Sequence, residues 1–215
     1  MPLRRPLAVL LAGFAAVGCT GVAAARTPVR PAPVRQPALH GLLTSQWTTW
    51  WGTPTFAGGA VTLTSRPPLS PAETHSALIT TKRAWGDATI SFTTTTLQQL
   101  RRGSAPNPWE VGWVLFRFRD PENYYWFMLK TNGFELGKKQ GSDTQIFLAT
   151  GPLPALTVGR PRAVEVRAAG ARIRVFVDGA KLVDYTDTHP LLDAGSVGLY
   201  EEDSQVLFNA LAISS

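Results

Sequence analysis

The feature that most constrains this chain is a succession of short segments rich in β-branched and aromatic residues, which begins after Leu39 and continues almost to the last residue. Gly, Pro, Asn or Asp bounds each segment, and apolar residues at helical spacing are rare. This pattern predicts an all-β protein. We predict twelve strands: Ala60–Thr64, Ser76–Thr81, Asp87–Thr96, Glu110–Arg119, Tyr124–Lys130, Gly133–Lys138, Thr144–Ala149, Ala163–Ala169, Arg172–Asp178, Lys181–Thr186, Ser196–Tyr200 and Gln205–Ala212.

Twelve short strands are too many for one flat sheet, so the sequence predicts two antiparallel sheets packed face to face as a jelly-roll sandwich. Asp120-Pro121-Glu122-Asn123 has the residues of a tight turn between two aromatic strands, because proline presets φ and Asp and Asn bond local backbone. Asn132-Gly133 tolerates the positive φ of a hairpin turn. These turns predict one meander from Glu110 to Lys138 and another from Ala163 to Asp187.

Alternation along Glu110–Arg119 assigns its side chains to two faces. One face carries Gly112, Val114, Phe116 and Phe118, and we expect it to lie in the core. The other carries Trp113, Leu115, Arg117 and Arg119, which fits a sheet face that is partly covered and partly open.

Several of these segments together resemble those of a known class. They are Trp109–Trp113, Asn123–Lys130, Asn132–Lys138, Ile173–Gly179, Gly195–Tyr200 and Val206–Asn209. They resemble secreted bacterial concanavalin A-like lectin and glucanase domains, which share a jelly roll with laminin-G-like modules, and are distantly similar to the 3-keto-disaccharide hydrolase family. Because relatives with this fold include lectin-like modules, hydrolases and lyases, the resemblance implies a fold and not one activity.

The resemblance also implies calcium, which often binds at the edge of such sandwiches through an Asp that follows Phe in the last strand. Here Asn209 follows Phe208 and brings no charge. Glu201-Glu202-Asp203 is the only dense acidic cluster, and two interpretations stay open. It is either a solvated turn or a calcium loop in which Glu202, Asp203 and Asn209 contribute oxygens.

The chain begins with a short basic region followed by uncharged residues 7–17, a length suited to a signal peptide and too short to span a bilayer. Two alternatives remain for processing: lipidation of Cys19 after a lipobox-like Ala16-Val17-Gly18, or cleavage after residue 25. Residues 26–38 have the Pro- and Arg-rich composition of an extended linker, and residues 39–215 form the predicted sandwich. We therefore expect export, with membrane attachment only through a lipid at Cys19.

The formal charge of +6 does not make a basic domain. Five arginines precede residue 39, and the rest of the chain has 16 basic and 15 acidic residues, a net charge of +1. This distribution argues against nucleic acid as a partner. The single cysteine, Cys19, leaves no internal disulfide in the predicted sandwich.

Two acids lie within aromatic strand segments, and they are the candidates for catalysis: Glu110 and Glu135. Glycoside hydrolysis normally requires two carboxyl groups, yet the paired-acid strand motif of hydrolases with this fold is missing. One alternative pairs both acids with Arg117, Arg119, Lys130 or Lys138 as structural ion pairs. The other places Arg117, Lys130, Glu135 and Lys138 on one open sheet face, where they would contact a glycan or an acidic sugar.

Sugars stack their apolar faces on Trp and Tyr while their hydroxyls need positioned polar groups. The predicted ligand-binding residues are Trp109, Trp113, Arg117, Arg119, Tyr124, Lys130, Glu135 and Lys138. Loop 97–108, which holds Arg101 and Arg102, is predicted to be a solvated tip. The first hypothesis is an exported, non-catalytic module that binds carbohydrate or another cell-envelope polymer, with calcium as a stabilising ion. The alternatives are a saccharide hydrolase or lyase that uses Glu110 or Glu135, and a structural envelope lipoprotein. The sequence does not indicate an oligomeric state.

Overall fold

Fifteen β-strands make up most of the computed structural model, which describes residues 38–215. The predicted signal peptide, Cys19 and all of the predicted linker except Ala38 lie outside the described residues. The strands are β1 (Leu39–His40), β2 (Trp47–Trp51), β3 (Thr53–Ala57), β4 (Ala60–Thr64), β5 (Ser76–Thr81), β6 (Ala88–Gln99), β7 (Gly112–Asp120), β8 (Asn123–Lys130), β9 (Gly133–Gln140), β10 (Ile146–Gly151), β11 (Arg162–Ala169), β12 (Arg172–Val177), β13 (Ala180–Thr186), β14 (Ser196–Glu202) and β15 (Ser204–Ser214). A short 3-10 helix, Thr44–Gln46, precedes β2. Within the described residues, no helix is long and apolar enough to cross a membrane.

The strands form two sheets in which every pair is antiparallel. The first sheet has the order β13-β12-β11-β6-β15-β4-β3, with β1 beside β15. The second has the order β10-β9-β8-β7-β14-β5-β2. Chain neighbours such as β14 and β15 therefore lie in different sheets, as a jelly roll requires. The predicted two-sheet jelly-roll sandwich is confirmed.

The core lies between the facing sides of the two sheets. Ile90, Val166 and Phe208 come from the first sheet, and Val114 and Leu199 come from the second. At a glycine in β7, Gly112, the first sheet packs closely against the second, because an added Cβ would lie within 3 Å of side chains from β6 and β15. Because Gly112 faces inward, alternation places Trp113 on the outer face of the second sheet.

All twelve predicted strands are present, and their ends lie within three residues of the predicted ones. The predicted list omits β1, β2 and β3. Strands β2 and β3 are mostly exposed and show no apolar alternation, so the pattern that identifies half-buried strands is absent from them.

A β-bulge at Arg117 overturns the predicted faces in the second half of β7. Arg117 has φ 49°, and the β7–β8 register shifts between Phe116 and Asp120. An extra residue in one strand reverses the side-chain alternation beyond it. Phe118, predicted to lie in the core, therefore turns to the outer face, where its ring contacts Trp50 and Tyr124.

Candidate functional site

A groove crosses the outer face of the second sheet, the face turned away from the first sheet. All seven strands and the adjoining loops contribute to its lining. Two hollows of about 180 and 400 Å³ form it, and they share Trp113, Gln145 and Glu202. We call this surface the aromatic groove. Its other lining residues are Trp51, Leu78, Trp109, Leu115, Phe118, Pro121, Tyr124, Met128, Lys130, Glu135, Lys139, Phe147 and Tyr200.

The floor of the groove is built in two layers. Trp126 lies on the outer face of β8, yet it is 0% exposed. Its indole lies against Gly137 of β9, where a Cβ would overlap the ring. Trp113, Tyr124 and Phe147 surround it, with ring centroids 6.1 to 6.2 Å away. The outer face of this sheet therefore carries its own aromatic packing, and a second set of rings rests on it.

Exposed aromatic rings stand at both ends of the groove. Trp51, on the edge strand β2, is 37% exposed, and Phe147, on the opposite edge strand β10, is 57% exposed. Trp109, in the loop before β7, is 42% exposed. Its backbone carbonyl accepts a hydrogen bond from Trp113 Nε1 at 3.0 Å, which ties the loop to the groove floor. Tyr124 and Tyr200 lie between these ends and are partly buried.

An ion pair stands in the larger hollow. Glu135 Oε2 lies 3.0 Å from Lys130 Nζ, and Glu135 Oε1 accepts a hydrogen bond from Trp126 Nε1 at 3.0 Å. This arrangement contains elements of both predicted alternatives, since Glu135 and Lys130 form an ion pair and also line the groove. Both oxygens of Glu135 are engaged, so its carboxylate is fixed in position.

A carboxyl group and a phenol form the centre of the groove. Tyr200 donates a hydrogen bond to Glu202 Oε1 at 2.5 Å. Burial, together with the negative charges of Asp203 and Glu110, raises the pKa of Glu202 even though the hydrogen bond from Tyr200 opposes the rise. Burial and Glu202 also raise the pKa of Tyr200, and that of Tyr124 to about 12. Both phenols therefore keep their protons at neutral pH and remain hydrogen-bond donors.

Three predicted ligand-binding residues lie away from the groove. Because Arg117 and Lys138 are among them, the single open face predicted for Arg117, Lys130, Glu135 and Lys138 is wrong. Lys138 is opposite Tyr125 on the inner face, and its Nζ lies 2.8 Å from Asp187 Oδ2. Burial would raise the pKa of Asp187, but hydrogen bonds from Lys138, Tyr125 and a backbone N–H lower it overall. The bulge sends Arg117 to the loop carbonyls of Gly170 and Leu191.

Arg119, the third of these residues, pairs with an exposed carboxylate. Its Nη1 lies 2.7 Å from Asp193 Oδ2, and Arg119 is not among the residues that line the aromatic groove. Trp109, Trp113, Tyr124, Lys130 and Glu135, the other five predicted residues, all line it.

Glu110 is buried in an ion pair, and none of its predicted partners binds it. It is 0% exposed, and it pairs with Arg101 Nε and with Asn107 Nδ2, the latter at 2.8 Å. Arg101 Nη2 also lies 2.6 Å from Asp203 Oδ2. These contacts raise the pKa of Arg101, with Glu110 the largest cause. The solvated tip predicted for Arg101 is therefore wrong, because this guanidinium links two buried carboxylates beneath the loop that carries Trp109.

The residues predicted to bind calcium do not fit the ion. Asp203 is buried, and its two oxygens are bound by Arg101 and by the backbone N–H of His75. Asn209 follows the core residue Phe208 in the first sheet, so its side chain points outward there, whereas Glu202 lies in the groove on the opposite side of the sandwich. Within residues 38–215, no three His, Cys, Asp or Glu side chains are grouped to hold a metal.

The acidic cluster is not a solvated turn either. Glu201 and Asp203 are both 0% exposed. Glu201 and Glu202 are the last two residues of β14, and Asp203 alone separates β14 from β15. Glu201 faces the core, while Glu202 faces the groove.

Four groove residues are missing from the prediction: Trp51, Lys139, Gln145 and Phe147. The position of Glu202 in the groove was also not predicted. A signal for Glu202 was present in β14, because alternation from Tyr200 places both on one face. The other four lie at sheet edges or beside a turn. Their assignment requires the strand order, which the sequence does not supply.

Solved structures with the same architecture include binding modules and enzymes. The carbohydrate-binding module CBM66 from Bacillus subtilis matches with a TM-score of 0.63 at 18% identity, covering 79% of this chain and 96% of that one. A β-glucanase from Bacillus licheniformis matches with a TM-score of 0.60 at 9% identity, covering 84% and 98%. A lichenase from a mouse hindgut metagenome matches with a TM-score of 0.60 at 12% identity, covering 83% and 98%.

These likenesses establish the fold, which is a two-sheet jelly-roll sandwich. No protein-family model and no curated protein matches the sequence. Similarity to the 3-keto-disaccharide hydrolase family stays a prediction.

Proposed function

We propose that this protein is an exported carbohydrate-binding module that holds a saccharide in the aromatic groove. The observation that carries the proposal is the composition of the groove, which combines exposed rings with a small set of fixed polar groups. Sugar C–H faces stack on aromatic rings, and sugar hydroxyls need partners that are already oriented. Trp51, Trp109, Tyr124 and Tyr200 would supply the stacking surfaces.

The polar groups supply both donors and acceptors. The Glu135 carboxylate and the Lys130 ammonium hold each other in place, and Glu202 is oriented by Tyr200. Preorganised partners reduce the entropy lost when a flexible, hydroxyl-rich ligand is bound. This supports recognition of a sugar rather than of an apolar ligand.

The contacts of Glu110 and Glu135, the two acids predicted as catalytic candidates, favour binding without catalysis. Glu110 is buried in an ion pair, and both oxygens of Glu135 are engaged. One observation supports a second candidate, a glycoside hydrolase: Glu135 and Glu202 line the same hollow. The discriminating assay is release of reducing ends from any bound polysaccharide. Release that is lost in Glu202→Gln would favour the hydrolase.

Export and anchoring are proposals that rest on the N-terminal sequence. Metabolic labelling with a fatty-acid analogue should label the protein and should fail for Cys19→Ala. Labelling of neither form would support cleavage after residue 25 instead.

The proposed function is tested by a glycan array with the purified protein, run with calcium and with a chelator. We expect at least one neutral glycan to bind, and Trp109→Ala to weaken that binding. Leu192→Ala is the matched control, since this exposed residue lies outside the groove. No glycan bound in either condition would overturn the proposal, and binding only with calcium would show that an ion is required.

A further inference from the structure

The length of the groove indicates how many sugar rings of a saccharide it can hold. Its lining includes a residue from each strand of the second sheet, from Trp51 on the edge strand β2 to Phe147 on the edge strand β10. Seven strands spaced about 4.8 Å apart span roughly 29 Å from the first to the last. A surface of this length accommodates several sugar rings in a row, far more than a single terminal sugar occupies.

Both ends of the groove reach the edge of the sheet. In the part of the chain that the structure describes, no strand pairs with the free side of β2 or of β10. The rings at these ends are exposed, at 37% for Trp51 and 57% for Phe147. A site built for a chain end would instead be closed by a wall at one side, so the open ends favour a chain that continues beyond the groove.

The charges of the groove are balanced and paired. Lys130 is neutralised by Glu135 at 3.0 Å, and Lys139 lies 3.2 Å from Asp143. Glu202, at the centre, would repel an anionic ligand whenever it is ionised. Recognition of carboxylated or sulfated sugars needs cations that are free to pair with the ligand, and among the described residues of the groove each lysine already has an acid.

We infer that the aromatic groove binds an internal stretch of an uncharged polysaccharide, with Trp109 in the larger hollow and Trp51 in the smaller hollow as separate aromatic contacts. The inference rests on the proposed function and deepens it. Each exposed ring would stack on a different sugar of one chain, so affinity should grow with the number of sugars until both hollows are occupied.

The test is calorimetric titration of the purified protein with cello-, laminari-, xylo- and manno-oligosaccharides of two, four and six rings. In the series that binds, we expect affinity to rise at least about tenfold from two rings to six, the equivalent of one additional stacked ring. Oligogalacturonates of six rings are the charged comparison, and they should bind at least about tenfold more weakly than the best neutral series.

Two variants locate the subsites. Trp109→Ala and Trp51→Ala should each reduce affinity for six rings and reduce the gain from two rings to six, and Leu192→Ala should change neither. A general loss of structure would instead lower affinity for every length in proportion.

Equal affinity for two and six rings would overturn the inference and leave the proposed function intact. Tighter binding of oligogalacturonates would overturn the assignment of an uncharged ligand. Failure of every series to bind would overturn the inference, whereas the proposed function is overturned only if the glycan array also shows no binding.

Discussion

The outer faces of the two sheets differ in how their residues are exposed to solvent. In the first sheet, β11 and β12 alternate between buried and more exposed residues, and their outward positions carry charged pairs such as Arg167 with Glu165. In the second sheet, most positions of β7, β8 and β9 are buried on both faces. One outer face therefore follows the buried and exposed alternation of its strands, and the other is covered by its own aromatic layer.

This difference supports the aromatic groove as the binding site of the proposed function. A solvated outer face needs only polar alternation, and the first sheet meets this need with Thr, Glu and Arg. The second sheet exposes Trp51, Trp109 and Phe147 above a layer that is already packed. Exposed aromatic residues gathered on one face indicate an interaction site, and the ion pairs beneath them hold that site in place.

The largest difference in the free energy of unfolding is expected when an ion pair is broken, in the buried pairs of Arg101 or in a pair on the outer face of the first sheet. Arg101→Met would leave the carboxylates of Glu110 and Asp203 buried without their cation, which should lower the free energy of unfolding by about 3 to 5 kcal/mol. Urea denaturation measures this loss. The matched control, Arg167→Met, breaks a partly exposed pair with Glu165 and should cost about 0 to 1 kcal/mol. Equal losses in the two variants would contradict the contrast.

The sequence predicted the architecture because local patterns determine it. Turn residues such as Asn132-Gly133 and the alternation through Phe116 were enough to place the strands and the central aromatic face. The failures have a different origin. A bulge at Arg117 has no clear sequence signal, and it moved Phe118 from the predicted core face to the outer face.

The buried ion network was missed for a related reason. Arg101 reaches Asp203 across 102 positions of sequence, and neither residue differs locally from a solvated loop residue. Such a partnership follows from which loops meet at the end of the sandwich, and that depends on strand order. The same dependence hid Trp51 and Phe147, which join the groove only because their strands form its two edges.

Strand β14 allows the two faces of the second sheet to be compared, because Glu201 lies on its inner face and Glu202 on its outer face. On the inner face, burial raises the pKa of Glu201 to about 8, although Ser204 and Ser65 donate hydrogen bonds to it. The folded state thus holds a proton that the unfolded state releases near pH 4.5. Stability from this group is complete below that pH and is lost as pH rises to about 8, by up to about 1.4 kcal/mol per pH unit.

Glu201→Gln is the control for this pH dependence. The amide has nearly the same shape and does not ionise, so the free energy of unfolding should lose its downward slope between these pH values. Urea titrations at several pH values measure the slope for both proteins. The same slope in Glu201→Gln would assign the pH dependence to another group.

In the groove, the hydroxyl of Tyr200 tests whether the polar centre contributes to binding. Tyr200→Phe keeps the ring and removes the hydrogen bond to Glu202. Because hydrogen bonds to charged groups contribute about 1.5 to 3 kcal/mol, we expect affinity for the bound glycan to fall roughly tenfold. Calorimetry measures this, and Tyr185→Phe in β13 of the first sheet is the control. An unchanged affinity would assign the role of Tyr200 to stacking alone.

The smallest effect is expected on the outer surface of the first sheet, where Arg172 pairs with Asp184 through two hydrogen bonds of 2.7 and 2.9 Å. These bonds, with one from Lys181, lower the pKa of Asp184. Solvent and salt screen such an exposed pair, so Arg172→Gln should leave both the urea midpoint and glycan affinity unchanged. A loss of glycan affinity in this variant would contradict the contrast between the two outer faces. It would place a second determinant of binding on the outer face of the first sheet, away from the aromatic groove.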